Sequence, residues 1–214
     1  MKTFSLTSFL LFIPLLASAS PTGQGQLQTR GSTQITSEQI QIIAPTSNTC
    51  ANPPAVGECA TSDSAASSIS KSFQTYGVTN KAEQAAVIGL MAFESGDFKY
   101  NKNHFPGVAG QGTRNMQSPT FNAKYAASIP ALADSLKTVN GDPAGTLDLL
   151  RAVPDYDFGS GAWFLTTQCN ASVRSQLQQG SQAGWEAFIT SCVGTAANDD
   201  RKAYWNRAVQ ALGQ

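Results

Sequence analysis

The chain has 214 residues, of which 41% are hydrophobic and 13% are charged, with 14 basic and 14 acidic side chains. This length is enough to bury one hydrophobic core of ordinary size. A net charge of zero, without any block of Lys and Arg, provides no electrostatic footprint for nucleic acid or for an anionic membrane surface. We therefore expect neither nucleic acid nor a membrane as a partner. Separately, we expect a monomer.

The N-terminal sequence MKTFSLTSFLLFIPLLASASP is typical of a secretory signal peptide. A single lysine precedes an apolar run at residues 9–16, and small residues follow at positions 17–19. The apolar run is too short to span a bilayer. We predict a signal peptide over residues 1–19 and a secreted, extracellular protein.

Residues 20–60 are rich in Gln, Gly, Ser and Thr, which predicts a flexible N-terminal arm ending in the loop CANPPAVGEC. The even number of cysteines suits disulfides in an oxidising compartment, although sequence alone leaves their pairing open. Pairing between nearest neighbours in the sequence is the simplest choice, and each bridge would stabilise the fold by about 3 kcal/mol. The cysteines concerned are Cys50, Cys59, Cys169 and Cys192.

Metal and cofactor motifs are missing from the sequence. The chain has one histidine, no CxxC pair and no Gly-rich phosphate-binding motif. We therefore expect no metal and no organic cofactor. A sequon begins at Asn170, next to a cysteine, and predicts a site for an N-linked glycan.

Residues 61–214 show helical periodicity with few interruptions, which predicts a mainly α, single helical domain. The Gly- and Asn-rich stretch 97–117 is the place for a short irregular or β segment. The predicted helices, in chain order, cover residues 63–76, 80–95, 118–129, 130–139, 142–150, 162–167, 171–178, 182–191 and 198–212.

The second predicted helix ends in LMAFESGDF, which places Glu94 at the end of an apolar run. Residues three and four apart share one face of a helix, so Glu94 lies on the stripe of Leu90 and Met91. Burial and the negative end of the helix dipole both favour the protonated acid over the carboxylate. Such an acid suits general acid catalysis. The alternative is a solvent-facing Glu at a frayed helix end.

Glu94 is followed by Ser95 and, later, by a Gly-x-x-Asn-Met-Gln motif that begins at Gly112 and leads into a helix. This arrangement resembles the goose-type lysozymes and lytic transglycosylases of the lysozyme superfamily, and the whole chain resembles secreted lysozyme-like proteins of filamentous fungi. The resemblance implies a lysozyme-like α+β fold with Glu94 as the catalytic acid. It also implies a sugar-binding cleft lined by Arg114, Asn115, Met116 and Gln117.

A second catalytic carboxylate is harder to choose. Asp97 lies close to Glu94 in the sequence, and Asp157 lies in a Gly-rich stretch that we expect to be a loop facing Glu94. Capping or turn roles are the alternative for both aspartates. The family often works with one acid, assisted by the N-acetyl group of the substrate. Tyr100 and Tyr156, in polar segments, are candidate platforms for sugar rings.

Together these features predict a secreted muramidase that cleaves β-1,4 bonds of bacterial peptidoglycan, with a polysaccharide as its partner. Hydrolysis and anhydro-forming transglycosylation remain open. The alternatives are a chitinase or chitosanase on a related fold and a noncatalytic secreted glycan-binding or effector protein.

Overall fold

The computed structural model describes residues 33–214, together with Met1 and Thr3. The predicted signal peptide, apart from those two residues, and the first part of the predicted arm lie outside the described residues. Within the described part, no helix combines the length and the apolar character needed to cross a bilayer.

The described residues fold into ten α-helices joined by short connections, which confirms the mainly helical class. Short 3₁₀ turns occupy Pro45–Asn48 and Pro130–Leu132, and a π-helical turn covers Phe188–Val193. The helices are α1 (Ser37–Ile43), α2 (Ser62–Tyr76), α3 (Lys81–Glu94), α4 (Pro119–Ala127), α5 (Ala133–Val139), α6 (Pro143–Arg151), α7 (Pro154–Thr167), α8 (Ala171–Leu177), α9 (Gln182–Ala187) and α10 (Asp199–Leu212).

The segment between α3 and α4 is irregular, as the sequence predicted. Isolated β-bridges join Gly112 to Lys102 on one side and to Gln117 on the other. A Cβ built at Gly112 would lie 2.6 Å from the carbonyl oxygen of Asn101. The segment therefore folds back on itself closely enough to require glycine at this position.

Helices α2 and α3 begin and end within one residue of the bounds that the sequence predicted. The Thr61 side chain caps α2, and Gly77 ends it in the left-handed conformation at φ 66°. Asn80 caps α3 by accepting hydrogen bonds from the backbone N–H groups of Ala82 and Glu83. These local signals explain why both helices are recognisable without a structure.

The structure has a helix, α7, where the sequence predicted a Gly-rich loop before residue 162. It begins at Pro154, whose fixed φ suits the first helical position. Gly159 and Gly161 lie inside the helix, where they allow close packing rather than a turn. A Cβ at Gly159 would clash with the hydroxyl of Tyr125, and one at Gly161 would lie 3.1 Å from Val87.

The N-terminal segment also differs from the flexible arm that the sequence predicted. A capping box at Thr36 starts α1, and Ile40 and Ile43 on this helix are fully buried. Arg207 of α10 donates a hydrogen bond of 2.8 Å to the carbonyl of Ile43. The described part of the segment is therefore packed into the domain, while the predicted domain boundaries stay a prediction.

Helix α3 lies at the centre of the core and packs against α10, α7, α1 and α8. Most of its residues from Ala82 to Ala92 are buried, including Glu83 at its first turn. On the α10 side, Trp205 stacks on Trp185 with ring centroids 5.1 Å apart. The C-terminal end of α3, with Glu94, emerges from this core at the surface.

Both disulfides join neighbouring cysteines, which is the pairing that the sequence predicted. Cys50 bonds to Cys59 across the N-terminal loop, and Cys169 bonds to Cys192. The second bridge anchors the end of the π-helical turn, directly before Val193.

Candidate functional site

A cleft opens beside the C-terminal end of α3. Its first part, which we name the helix lobe, has a volume of about 300 Å³ and lies among α3, α4, α7 and α10. Apolar side chains from several elements line this lobe, among them Leu90, Phe121, Phe164 and Val193. Polar side chains at Gln111, Asn115, Gln117, Ser118 and Thr195 complete it. The lobe is therefore amphipathic.

A second pocket, which we name the loop lobe, adjoins the helix lobe at Glu94. It has a volume of about 340 Å³ and is lined by Tyr100, Lys102, Asn103, His104 and Phe105 of the irregular segment. The two lobes share three lining residues, Glu94, Gln111 and Met116. Glu94 therefore lies between two adjoining pockets, which we together call the cleft.

Glu94 is held by Arg201, the third residue of α10. The Nε and Nη2 atoms of Arg201 lie 3.2 and 2.9 Å from Oε1 of Glu94. Arg201 is itself fixed, because its Nη1 donates to the carbonyl of Ala196 at 3.2 Å and its guanidinium lies 4.6 Å from the ring centroid of Phe93. Glu94 is thus an ion-paired side chain, unlike the isolated acid that its position at the helix end predicted.

The second carboxylate oxygen of Glu94, Oε2, takes no part in the ion pair with Arg201. Both Arg201 contacts go to Oε1, and within the part of the chain that the structure describes no group is hydrogen-bonded to Oε2. The Glu94 side chain keeps 22% of its surface exposed and lines both lobes. Oε2 can therefore accept a hydrogen bond or a proton from a molecule in the cleft.

Three of the four residues predicted from the Asn-Met-Gln motif line the helix lobe, namely Asn115, Met116 and Gln117. The Gln117 side chain donates to Asn122 at 3.2 Å, while its Oε1 is buried without a hydrogen-bond partner among the described residues. Tyr100 lines the loop lobe, with its ring centroid 5.4 Å from that of His104. The structure thus brings these four predicted residues to the same cleft as Glu94.

Arg114 and Asp157 lie away from the cleft and pair with each other. Asp157 is 2% exposed and accepts from Arg114 Nε at 2.8 Å and from Asn101 at 3.1 Å. The remaining Arg114 donors reach the carbonyls of Phe98, Tyr100 and Glu58. Arg114 therefore ties residues 98–100 and the loop at Glu58 to its own turn, and the structure does not place Asp157 opposite Glu94.

Asp97 has a structural role in this arrangement. Its Oδ2 accepts from the backbone N–H and hydroxyl of Thr46, at 2.9 and 2.8 Å, and its Oδ1 accepts from the Tyr204 hydroxyl at 2.8 Å. Burial and this last hydrogen bond raise the pKa of Tyr204 to about 12. Asp97 thus ties α10 and the N-terminal turn to the end of α3 rather than serving as a free carboxylate.

The remaining predicted residues lie elsewhere. Tyr156 is on α7 and lines neither lobe, and its carbonyl accepts from Tyr125 at 3.1 Å. The Asn170 side chain caps α8 by accepting from the Ser172 backbone at 2.9 Å. Its glycosylation stays a prediction.

Sequence reasoning missed the partner of Glu94. Arg201 is 107 residues away in the chain, and no local pattern marks it as part of a site. Among the described residues, no group of three or more His, Cys, Asp and Glu side chains is arranged to hold a metal ion.

No protein-family model and no solved structure matches the chain. Among curated proteins, the chain is 45% identical over 155 residues to a bifunctional dioxygenase (DOX)-epoxy alcohol synthase (EAS) of Fusarium oxysporum (strain Fo5176). The match covers 70% of this chain but 12% of the relative. The chain is therefore related to a small segment of an enzyme.

This comparison overturns the functional part of the sequence analysis. The relative is a dioxygenase and epoxy alcohol synthase, so the assignment to goose-type lysozymes and lytic transglycosylases is wrong. The muramidase activity, its chitinase, chitosanase and glycan-binding alternatives, and the polysaccharide partner are wrong for the same reason. The Glu-Ser and Asn-Met-Gln motifs that suggested them are short, and Arg114 within the second motif is a buried clamp.

Proposed function

We propose that the chain is an enzyme module that binds a small, amphipathic, oxygenated molecule in the cleft, with Glu94 as its proton acceptor. The observation that carries this proposal is the one-sided anchoring of Glu94. Arg201 holds the carboxylate through Oε1, and Oε2 has no hydrogen-bond partner among the described residues, on a side chain that lines both lobes. A carboxylate held in one orientation can take a proton from a bound hydroxyl group, which is general base catalysis.

The walls of the cleft support an amphipathic ligand. Small-molecule sites have volumes of roughly 300–1,000 Å³, with apolar walls and a few polar groups that fix orientation. The helix lobe, at about 300 Å³, combines apolar side chains such as Leu90 and Phe164 with amide side chains such as Asn115. An apolar chain would lie along Leu90 and Phe164, and its oxygen atoms would lie near Asn115 and Glu94.

The relative supplies the first ligand class to test. Its name includes an epoxy alcohol synthase, and an epoxy alcohol carries both a hydroxyl donor and an ether-type acceptor on a carbon chain. The hydroxyl would donate to Oε2 of Glu94, which takes its proton as the hydroxyl oxygen forms a bond to the adjacent epoxide carbon. The bond between that carbon and the ring oxygen breaks, and the ring oxygen takes the proton back from Glu94, so that the product is an isomer of the ligand. Because the chain spans 12% of that relative, the proposal concerns the ligand class and the proton transfer, not the whole relative's activities.

The test is titration calorimetry of the purified chain with a medium-chain epoxy alcohol, followed by chromatographic separation of the incubated ligand from its isomer, which has the same mass. We expect binding and conversion by the wild type. Glu94→Gln should bind roughly 10- to 100-fold more weakly, because a hydrogen bond to a charged group contributes about 1.5–3 kcal/mol. It should also lose conversion, because an amide does not accept the proton.

Glu186→Gln is the matched control. Glu186 lies on α9, accepts from Gln182 at 2.7 Å and lines neither lobe. This variant should bind and convert the ligand like the wild type. Absence of binding by a folded wild type, or equal conversion by Glu94→Gln, would contradict the proposal.

A further inference from the structure

We infer that the helix lobe binds a carboxamide group of the ligand, whose N–H donates to Oε1 of Gln117 and whose carbonyl accepts from the start of α4. This inference rests on the proposed function, since it names a chemical group of the ligand in the same cleft. It uses residues that the Glu94 argument does not.

The hydrogen bonds of Asn122 fix the orientation of the Gln117 side-chain amide. The Nδ2 atom of Asn122 donates to the carbonyls of Gly110 and Gln117, at 2.9 and 3.1 Å. Oδ1 of Asn122 therefore faces the Gln117 amide, where a donor has to lie, and Nε2 of Gln117 takes that place at 3.2 Å. Oε1 of Gln117 thus lies on the side away from Asn122.

This remaining oxygen of Gln117 lacks a donor. Gln117 is 5% exposed and lines the helix lobe, and its Oε1 is buried without a hydrogen-bond partner among the described residues. A buried acceptor that stays unpaired costs free energy, and a ligand group that donates to it recovers that cost. An ionised carboxylate cannot do this, because it has no proton to donate. The lobe therefore favours a neutral donor such as an N–H group.

The start of α4 borders the same lobe and offers donors. Ser118 occupies the N-cap position but makes no side-chain capping bond. Within the part of the chain that the structure describes, no acceptor is hydrogen-bonded to the backbone N–H of Phe121, which an N-cap side chain ordinarily binds. Ser118 and Phe121 both line the helix lobe. The Ser118 hydroxyl and the Phe121 N–H, at the positive end of the helix dipole, can therefore donate to a carbonyl oxygen.

An amide matches both features at once. The acceptor at Gln117 and the donors at Ser118 and Phe121 line one lobe. An amide carries an N–H donor and a carbonyl acceptor on neighbouring atoms, so that a single group can pair with both. An ester of the same shape keeps the carbonyl but places an oxygen against Oε1.

The test compares N-methylhexanamide with methyl hexanoate, an ester of the same shape, by NMR titration of the isotope-labelled chain. We expect the wild type to bind the amide about tenfold more tightly, because the ester forgoes one hydrogen bond and leaves Oε1 unpaired. The amide should also shift the side-chain resonances of Gln117 and the backbone resonance of Phe121.

Variants assign the preference to Gln117. Gln117→Met keeps the length of the side chain but removes the acceptor, so the amide and the ester should bind equally. Gln179→Met is the matched control, because Gln179 is exposed, donates to the carbonyl of Ser175 at 3.5 Å and lines neither lobe; the preference for the amide should persist there. Ser118→Ala should weaken both probes while keeping their ratio, since both carry a carbonyl. Glu94→Gln should keep the ratio as well.

The outcomes separate this inference from the proposed function. Equal binding of amide and ester by the wild type, or a preference that survives in Gln117→Met, overturns the amide assignment and leaves the Glu94 proposal standing. If Gln117→Met does not fold, the wild-type titration decides, and amide binding that leaves the Gln117 and Phe121 resonances unshifted overturns the assignment. Binding of the epoxy alcohol without binding of the amide also overturns this inference alone, whereas absence of binding by all three ligands overturns both.

Discussion

Gly89 of α3 lies directly against the backbone of Trp205 on α10, so that a Cβ at Gly89 would lie 3.1 Å from both the Cα and the N of Trp205. This close approach of the two helices carries Arg201, one turn earlier on α10, to Glu94 at the end of α3. The packing of the core therefore sets the geometry of the cleft.

Gly89→Ala tests this relationship. Alanine on its own favours a helix by about 1 kcal/mol, but overpacking costs about 1–3 kcal/mol, and backbone atoms cannot move aside as side-chain ends can. We expect the free energy of unfolding, measured by urea denaturation, to fall by about 1 kcal/mol. Affinity for the cleft ligand should fall with it, because Arg201 moves away from Glu94.

Gly161→Ala is the comparison for Gly89→Ala. Its Cβ would meet the side chains of Val87 and Met91, at 3.1 and 3.2 Å, rather than backbone. Those side chains can shift, so this variant should lose less stability. A Gly89→Ala protein as stable as the wild type would show that the two helices have room to separate.

Arg201 is expected to act as a positioning residue for Glu94. Arg201→Gln removes the cation and leaves a mostly buried carboxylate without its partner, so we expect a loss of about 1–2 kcal/mol in the free energy of unfolding. Arg201→Lys keeps the positive charge, but the lysine ammonium lacks the planar guanidinium group that holds Oε1 through two nitrogen atoms. It should recover stability more fully than ligand affinity.

A double-mutant cycle separates positioning from general destabilisation. If Arg201 acts through Glu94, Arg201→Gln in a Glu94→Gln background should have little further effect on ligand affinity. Additive losses of affinity in the double variant would mean that Arg201 contacts the ligand itself.

The contrast between α3 and α7 explains how far the sequence could predict this fold and this site. Caps at Asn80 and Gly77 are local, and they mark the helices around them correctly. The same local rule predicts a loop at Gly159 and Gly161, and there it fails. Both glycines lie inside α7, because side chains packed across the core leave room only for small residues at these positions. The rule uses only residues that are adjacent in the sequence, whereas packing depends on contacts between residues that are distant in the sequence.

The same distinction applies to the site. Asn115, Met116 and Gln117 line the helix lobe with Glu94, and they follow it in a connected segment of the chain. The pairing of Glu94 with Arg201 spans 107 residues and follows from the packing of α10. The short motif therefore suggested a lysozyme-like chemistry that the comparison contradicts, and its site residues stay a prediction.

The stability of the fold at acid pH should depend on Glu58. Burial alone would raise the pKa of this carboxyl, but hydrogen bonds from the Asn101 backbone and His104, with the charges of His104 and Arg151, outweigh it and hold the pKa below the ordinary 4.5. A lowered pKa in the folded state stabilises the protein above the unfolded value and stops doing so as the pH falls through the folded value.

Glu58→Gln should therefore be less stable than the wild type at neutral pH, with a difference that narrows below about pH 4. Urea denaturation of both proteins across this pH range measures the difference. A gap between the two that stays constant with pH would mean that the charge of Glu58 contributes nothing and that its shape alone matters.

The disulfide between Cys169 and Cys192 should support the wall of the helix lobe as well as the fold. Val193 and Thr195, which line that lobe, follow it directly. Replacing both cysteines by alanine should lower the free energy of unfolding by about 3 kcal/mol, by the entropy of the closed loop. It should also weaken ligand binding, since Val193 and Thr195 lose their anchor.

The Cys50–Cys59 bridge provides the matched control for this last prediction. It closes a shorter loop, so its removal should cost a similar or smaller free energy of unfolding, again about 3 kcal/mol or less. Neither cysteine lines the cleft. Calorimetry under conditions where both variants are folded should therefore find ligand affinity kept without Cys50–Cys59 and reduced without Cys169–Cys192. Equal affinities would show that the π-helical turn holds the wall without its disulfide.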